Sequence, residues 1–290
     1  MPNIEKYENL VLGSGVAGRL LTWTLASAGD RTAIVERGPF GGACPNVACL
    51  PSKDIIHSAK VAAFARRGAE FGIKFNSMSV DMATVQRRKR TMVADLQEFH
   101  LGKTATSGAE LFRGDARFTA PRTLEVALRG GGTRTIAGER VFINVGSRAS
   151  IPAISGLAEA KPMTHVEALD LDRLPEHLIV MGGGYVGLEL SQAFRRFGSR
   201  VTVVQESLQL ADHEDPDVGA ALLDLFHDEG IDVLLGSRVR QVEGRSGQRI
   251  SVQVENGKDQ HVLTGTDILV RDRPDSKRRC SRLAQDRCPG

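Results

Sequence analysis

LVLGSGVAG, residues 10–18, is an apolar run that breaks into three glycines spaced Gly-x-Gly-x-x-Gly. The run Tyr7–Leu12 reads as a strand, Arg19–Ala28 as a helix, and Thr32–Val35 as a second strand ending at Glu36. A glycine turn between a strand and a helix lets backbone amides approach a pyrophosphate, and the helix start adds donors and partial positive charge. One such turn is weak evidence, because glycines also simply join strands to helices. Here the whole order returns 169 residues later. His177–Met181 leads into Gly182-Gly183-Gly184-Tyr185-Val186-Gly187, then a helix over Leu188–Phe197 and a strand over Val201–Val204 ending at Gln205-Glu206. In both copies the second strand ends 18 residues after the last glycine. The matched spacing predicts two dinucleotide-binding units.

Glu36 is placed to accept hydrogen bonds from both ribose hydroxyls of an adenosine. In the second copy Gln205 stands there and can still hydrogen-bond a ribose. No Arg or Lys lies in residues 206–212 to hold a 2′-phosphate, which favours NAD over NADP. Between the copies the pattern predicts a long helix over Val80–Leu101. Strands are predicted over Ala109–Phe112, Ala116–Phe118, Thr123–Leu128 and Val141–Val145, with a hairpin tip at Gly130–Gly132 and a linker over Gly146–Pro152.

Composition excludes several classes. Apolar residues make up 41 % and charged residues 25 % of the 290, which is ordinary for a globular chain. The apolar runs are short and no signal peptide is evident, so a cytoplasmic protein without membrane spans is expected. The net charge is +3, yet residues 271–290 carry seven Lys/Arg against three Asp/Glu, leaving −1 for the rest. That distribution argues against a nucleic-acid partner. Arg87-Arg88-Lys89-Arg90 reads as a solvated helix face.

Just beyond Glu36 comes GGACPNVACLPSK, residues 41–53, with Cys44 and Cys49. Four cysteines do not make a disulfide framework. Zinc would need two more ligands, and the remaining cysteines, Cys280 and Cys288, lie far away in the tail. A redox disulfide and two buried unpaired thiols stay open beside it. In a straight helix, Cα atoms five residues apart are about 8.6 Å from each other, beyond a disulfide's reach of about 7 Å. If the two are joined, the helix start must be distorted. Thiolates at a helix start are stabilised by its dipole.

These motifs together resemble the flavin-dependent pyridine nucleotide–disulfide oxidoreductases, which include dihydrolipoamide dehydrogenase, glutathione reductase and mercuric reductase. The likeness runs to about residue 270 and is nearest to the mercuric reductase-like enzymes. It implies an α/β fold of two Rossmann-like domains of three-layer ββα type. The FAD-binding domain would cover residues 1–150, the NAD(P)-binding domain 151–270, and a disordered tail 271–290. It implies electrons passed from NAD(P)H through FAD to a Cys44–Cys49 disulfide and on to a small disulfide, thiol or Hg(II)-type substrate. Cys49 would be the thiol facing the flavin and Cys44 the exchange thiol. Lys53 and Glu189 would pair beside the flavin, and Tyr185 would cover the nicotinamide pocket. FAD contacts are expected from Gly13, Ser14, Gly15, Val16, Ala17, Gly18, Glu36, Arg37, Gly42, Ala43, Lys53, Ala116, Gly146 and Ser147. NAD(P) contacts are expected from Gly182, Gly183, Gly184, Tyr185, Val186, Gly187, Glu189, Gln205 and Val239.

The chain departs from that family after Ile268-Leu269-Val270. The usual continuation is replaced by Arg271–Gly290, which reads as an out-of-frame tail. A later FAD-closing strand and the C-terminal interface domain, with its His–Glu pair and homodimer contacts, are expected to be missing, and turnover to be impaired. A non-catalytic dinucleotide-binding remnant is the alternative. Asn144-Val145-Gly146 stands where Ala-Thr-Gly is usual and is expected to be harmless.

Overall fold

The computed structural model describes residues 4–74, 76–270 and the backbone of 275–276. The tail expected to be disordered otherwise lies outside the described residues. The described residues form two compact units, residues 4–51, 91–148 and 275–276, and residues 52–90 and 149–270. Residues 52–90 belong to the second unit.

In the first unit, β1 (Ile4–Leu12) feeds α1 (Val16–Ser27), and β2 (Thr32–Glu36) lies parallel to β1. α2 (Ala43–Val47), α3 (Cys49–Arg66) and α4 (Met82–Thr106) follow, then β3 (Glu110–Ala120), β4 (Thr123–Leu128) and β5 (Thr133–Ile143). β5 lies parallel to β1, and the first half of β3 lies parallel to β2. The remainder of β3 and the start of β5 pair antiparallel with β4, closing a five-stranded ring. Two long strands therefore serve both a parallel nucleotide-binding sheet and an antiparallel meander. The two strands expected over residues 109–118 are one, and β5 begins eight residues before the predicted Val141. Leu10, Val35, Leu124, Val126 and Ile136 fill the ring, which supplies its main apolar core. β6 (Ser147–Arg148) pairs with the backbone of β14 (275–276).

The second unit contains α5 (His165–Leu169), β7 (His177–Met181), α6 (Tyr185–Phe197), β8 (Arg200–Val204), α7 (Pro216–Asp228) and β9 (Asp232–Leu234). With β13 (Asp267–Val270), the strands form a parallel sheet in the order β13-β7-β8-β9. β10 (Arg238–Arg245), β11 (Arg249–Asn256) and β12 (Asp259–Gly265) form an antiparallel sheet on a separate apolar cluster. Ile55, Ala59, Ala62 and Val85 pack with Phe194 and Phe197 of α6, which is why residues 52–90 belong to this unit.

Lys89 corrects the reading of the Arg87–Arg90 cluster as a wholly solvated face. It is buried, donating to the Leu169 carbonyl at 2.8 Å and pairing with Asp170, while Gln86 donates to Leu169 and Leu171. At the head of β13, Asp267 is fully buried and receives two hydrogen bonds from Arg173, at 2.5 and 3.0 Å. A buried carboxylate robbed of its cation keeps its desolvation cost. Arg173→Ala should therefore lower the unfolding free energy by about 3 kcal/mol, read from urea denaturation. A loss below about 1 kcal/mol, the level of a surface pair, would mean that Asp267 does not depend on Arg173.

Candidate functional site

The first glycine turn is closed by backbone. An alanine Cβ at Gly13 would lie 2.3 Å from the Asn144 carbonyl oxygen, and one at Gly18 would lie 2.2 Å from the Gly13 carbonyl. Gly15 caps α1 with no side-chain hydrogen bond and no acidic residue in the first turn, so the helix amides there point outward unclaimed. Glu36 ends β2 and accepts from the Ser14 amide at 2.8 Å, the Ser14 hydroxyl at 2.6 Å and the Gly38 amide at 2.7 Å. It fixes the turn while still lining the cavity in front of it.

That cavity is about 440 Å³. Of the residues expected to hold FAD, Gly13, Gly15, Val16, Glu36, Arg37, Gly42, Ala43, Ala116, Gly146 and Ser147 line it, together with Cys44. Ser14 and Gly18 sit behind it: Ser14 is buried and its hydroxyl also accepts the Gly41 amide at 2.8 Å. Ala17 is exposed at the start of α1, and Lys53 belongs to the second unit. The clash-limited glycines and outward amides fit a dinucleotide's pyrophosphate, and Glu36 fits its ribose. Asn144 is the residue that motif reading undervalued. Its amide nitrogen donates to the Gly13 carbonyl at 3.2 Å and occupies the space an alanine Cβ at Gly15 or Gly18 would need.

The cysteine turn abuts the glycine turn. Gly42 has φ +74°, and a Cβ there would fall 2.5 Å from the Gly15 Cα. α2 starts at the next residue, stops at Val47, and α3 starts at Cys49. Between them Ala48 adopts φ −135°, ψ −103°, so the helix is broken inside the Cys44–Cys49 interval, as a link across five residues requires. The two cysteines are not covalently bonded to each other in this structure. Cys44 is half-buried, Cys49 is exposed, and a hydrogen bond joins their side chains. Burial pushes the Cys44 thiol above its usual range and Cys49 adds to this, while Arg19 and the Leu50 amide pull it down. Asn46 holds the turn, donating to the Phe40 and Gly42 carbonyls at 3.0 and 2.7 Å and accepting from Gln97 at 2.7 Å. Among the described residues no group of three or more His, Cys, Asp or Glu gathers as a metal site.

The second turn repeats the first. Gly182 and Gly183 lie behind it, and Gly184 caps α6 with no side-chain hydrogen bond. Gly184, Tyr185, Val186 and Gly187 line a cavity of about 150 Å³ with Ala211, Asp212 and His213. Tyr185 is exposed and its phenol donates to Glu214, which raises the phenol's pKa. Gln205, expected to hydrogen-bond a ribose, is instead buried. Its carbonyl accepts the Gly183 amide at 2.9 Å and its NH₂ donates to the Gln209 carbonyl at 3.2 Å. It copies the internal role of Glu36. The first exposed residue beyond β8 is Glu206, paired with Arg238 of β10, a contact between distant residues that spacing does not reveal. Val239, expected at the nucleotide, has its side chain in the apolar cluster of β10–β12. Lys53 and Glu189 do meet, at 2.5 Å, and both are substantially exposed.

A family model described as pyridine nucleotide-disulphide oxidoreductase matches residues 7–270. A mercuric reductase of Streptomyces lividans is 37 % identical over 266 residues, covering 91 % of this chain and 56 % of that protein. A protein named probable pyridine nucleotide-disulfide oxidoreductase RclA, from Escherichia coli K12, is 30 % identical over 271 residues, covering 92 % of this chain and 56 % of that one. The chain thus spans little more than half the length of these curated relatives. Among solved structures, a Cu(II) complex of the HOCl-induced flavoprotein disulfide reductase RclA from Escherichia coli superposes with a TM-score of 0.81 at 28 % identity, covering 96 % of this chain and 59 % of that one.

Proposed function

Since the chain belongs to the pyridine nucleotide-disulphide oxidoreductase family, we propose that it carries the nucleotide and dithiol parts of a reductase that draws on NAD(P)H and FAD. Its substrate would be a small disulfide or a thiol-reactive ion such as Hg(II). The observation that carries this reading is the cysteine pair at a helix break, packed glycine to glycine against a nucleotide turn. FAD, when bound, supplies two-electron exchange between a nicotinamide and a sulfur. The chain's own residues supply the rest. Glu36, Gly13, Gly15 and Gly42 would hold the dinucleotide in the first cavity, and the α1 amides would balance its pyrophosphate charge. Cys49 would be the more accessible thiol, and burial holds the proton of Cys44 above its ordinary range. Lys53 of α3, paired with Glu189, would place a basic side chain on that helix. Among the described residues no helix is long and apolar enough to cross a membrane. A reducing cytoplasm suits catalytic use of such a pair.

The test is the purified chain reconstituted with FAD and assayed for NADH oxidation, with a small aromatic disulfide or Hg(II) as acceptor. Acceptor-dependent oxidation supports the reading. Flavin bound in stoichiometric amount, with neither acceptor reduced, would leave a dinucleotide-binding protein without dithiol chemistry.

NAD is the preferred nucleotide in this reading. With Gln205 turned inward, Glu206, the first exposed residue beyond β8, would be the carboxylate toward the ribose, repelling a 2′-phosphate and neutralising the guanidinium of Arg238. Glu206→Gln should release Arg238 and tighten NADPH binding about tenfold relative to NADH, an effect the size of one charge-assisted hydrogen bond. Fluorescence titration of both nucleotides reads the ratio, and an unchanged ratio would remove Glu206 from the specificity argument.

A further inference from the structure

Arg19 is a charge in a place made for an apolar side chain. It follows the last glycine of the first turn, and the matching position in the second turn is Leu188. The two turns share one burial pattern from residues 12 to 19 and 181 to 188, and both Arg19 and Leu188 are buried. Arg19 is only 9 % exposed, and among the described residues no carboxylate pairs with it. One nitrogen donates to the Gly41 carbonyl at 2.9 Å, and its Nε is buried with no hydrogen-bond partner. The guanidinium also lies 5.9 Å from the Trp23 ring centroid. A desolvated cation held by one carbonyl and an aromatic face is short of an anion.

A group able to become one, the Cys44 thiol, is on the turn that Arg19 grips and interacts electrostatically with it. Gly41, whose carbonyl it holds, begins the Gly41-Gly42-Ala43-Cys44 run, and that turn folds back so that Pro45 would touch a Cβ on Gly41 at 2.8 Å. We propose that Arg19 is the positioning residue of the exchange thiol: its buried guanidinium anchors the cysteine turn and is the standing counter-charge of the Cys44 thiolate.

The electrostatics around Cys44 agree with this geometry. Arg19 of α1 and the Leu50 amide of α3 favour the thiolate, while burial and Cys49 oppose it. His100 of α4 is disfavoured as a competing cation, because burial and Arg19 itself push its pKa down. The proton leaves Cys44 for solvent, and the guanidinium charge stays where it was. The chain thereby holds one means of activating Cys44 within its own nucleotide-binding unit. The assignment rests on the dithiol reading above for its purpose, but its test needs neither flavin turnover nor a substrate.

The reduced chain is alkylated with iodoacetamide across pH 6 to 11, and Cys44 and Cys49 are read separately by peptide mass spectrometry. Arg19→Gln should move the Cys44 midpoint up by about one unit, making alkylation about tenfold slower at neutral pH. Arg19→Lys should restore most of the rate, and the Cys49 profile should move less. A residue that merely filled space would change the melting temperature and leave the profile where it was. A Cys44 profile unchanged in folded Arg19→Gln overturns the assignment while leaving the dithiol reading intact. Should Arg19→Gln fail to fold, the unaltered chain still decides. Anionic iodoacetate, compared with neutral iodoacetamide, should be favoured at Cys44 over Cys49 by about threefold, as a neighbouring cation draws an anion, and an equal or reversed preference overturns the assignment.

Discussion

Gly13→Ala is expected to give a chain that takes up no flavin. Gly13 sits at φ +99°, where a side chain is strained, and the added Cβ would meet the Asn144 carbonyl oxygen at 2.3 Å. That oxygen belongs to the backbone immediately after β5, whose register against β1 is fixed up to Leu12 and Ile143. Relief therefore requires opening the sheet at the point where the pyrophosphate would lie. Gly29 is the control. It has the same φ of +99° but nothing within 4 Å of its would-be Cβ. Gly29→Ala pays only the backbone strain, about 1–2 kcal/mol, and should still turn yellow on incubation with FAD. Absorbance near 450 nm after gel filtration separates the two. Full flavin uptake by Gly13→Ala would show that the first turn is not where the dinucleotide binds.

Cys44→Ser and Cys49→Ser should each bind flavin normally and each lose disulfide reduction by about a thousandfold or more, since the two thiols act as one unit. Neither cysteine supports the nucleotide cavity by itself: Cys44 is one of many lining residues, and Cys49 is exposed. In the unaltered chain, turnover limited by the Cys44 thiolate should climb with pH into the alkaline range. The raised pKa means that fewer Cys44 thiolates exist at neutral pH than an ordinary cysteine would provide. A stopped assay of NADH-dependent disulfide reduction against pH measures this. Retention of more than a tenth of the rate by either serine variant would place the chemistry elsewhere.

The parts of the fold that sequence discloses are those with a short-range physical signature. The two glycine turns, their flanking strands and the hairpin tip at Gly130–Gly132 are readable because steric demands tie residue type to conformation. Partners brought in from far along the chain are not readable this way. The strand over Glu110–Ala120 looked like two pieces because Arg113-Gly114-Asp115 interrupts its apolar residues, although burial alternates straight through them. Lys89 looked solvated because nothing nearby in sequence reveals that the Leu169 carbonyl will be waiting for it. Gln205 and Glu36 occupy the same position in the repeat, and both turn out to brace their own glycine turns. That bracing is a role within the fold that position alone did not disclose. Arg19 could have been noticed by aligning the repeat with itself, which sets it opposite Leu188.

The contact of Gly42 with Gly15 has a practical corollary for protein engineering. Where two loops meet without side chains between them, neither can be swapped for a variant of different length or bulk unless the other is rebuilt to match. The cysteine segment is thus not a portable cassette. Transplanted into another nucleotide-binding scaffold, it would keep its pair of sulfurs but lose the neighbour that sets their distance from the bound dinucleotide.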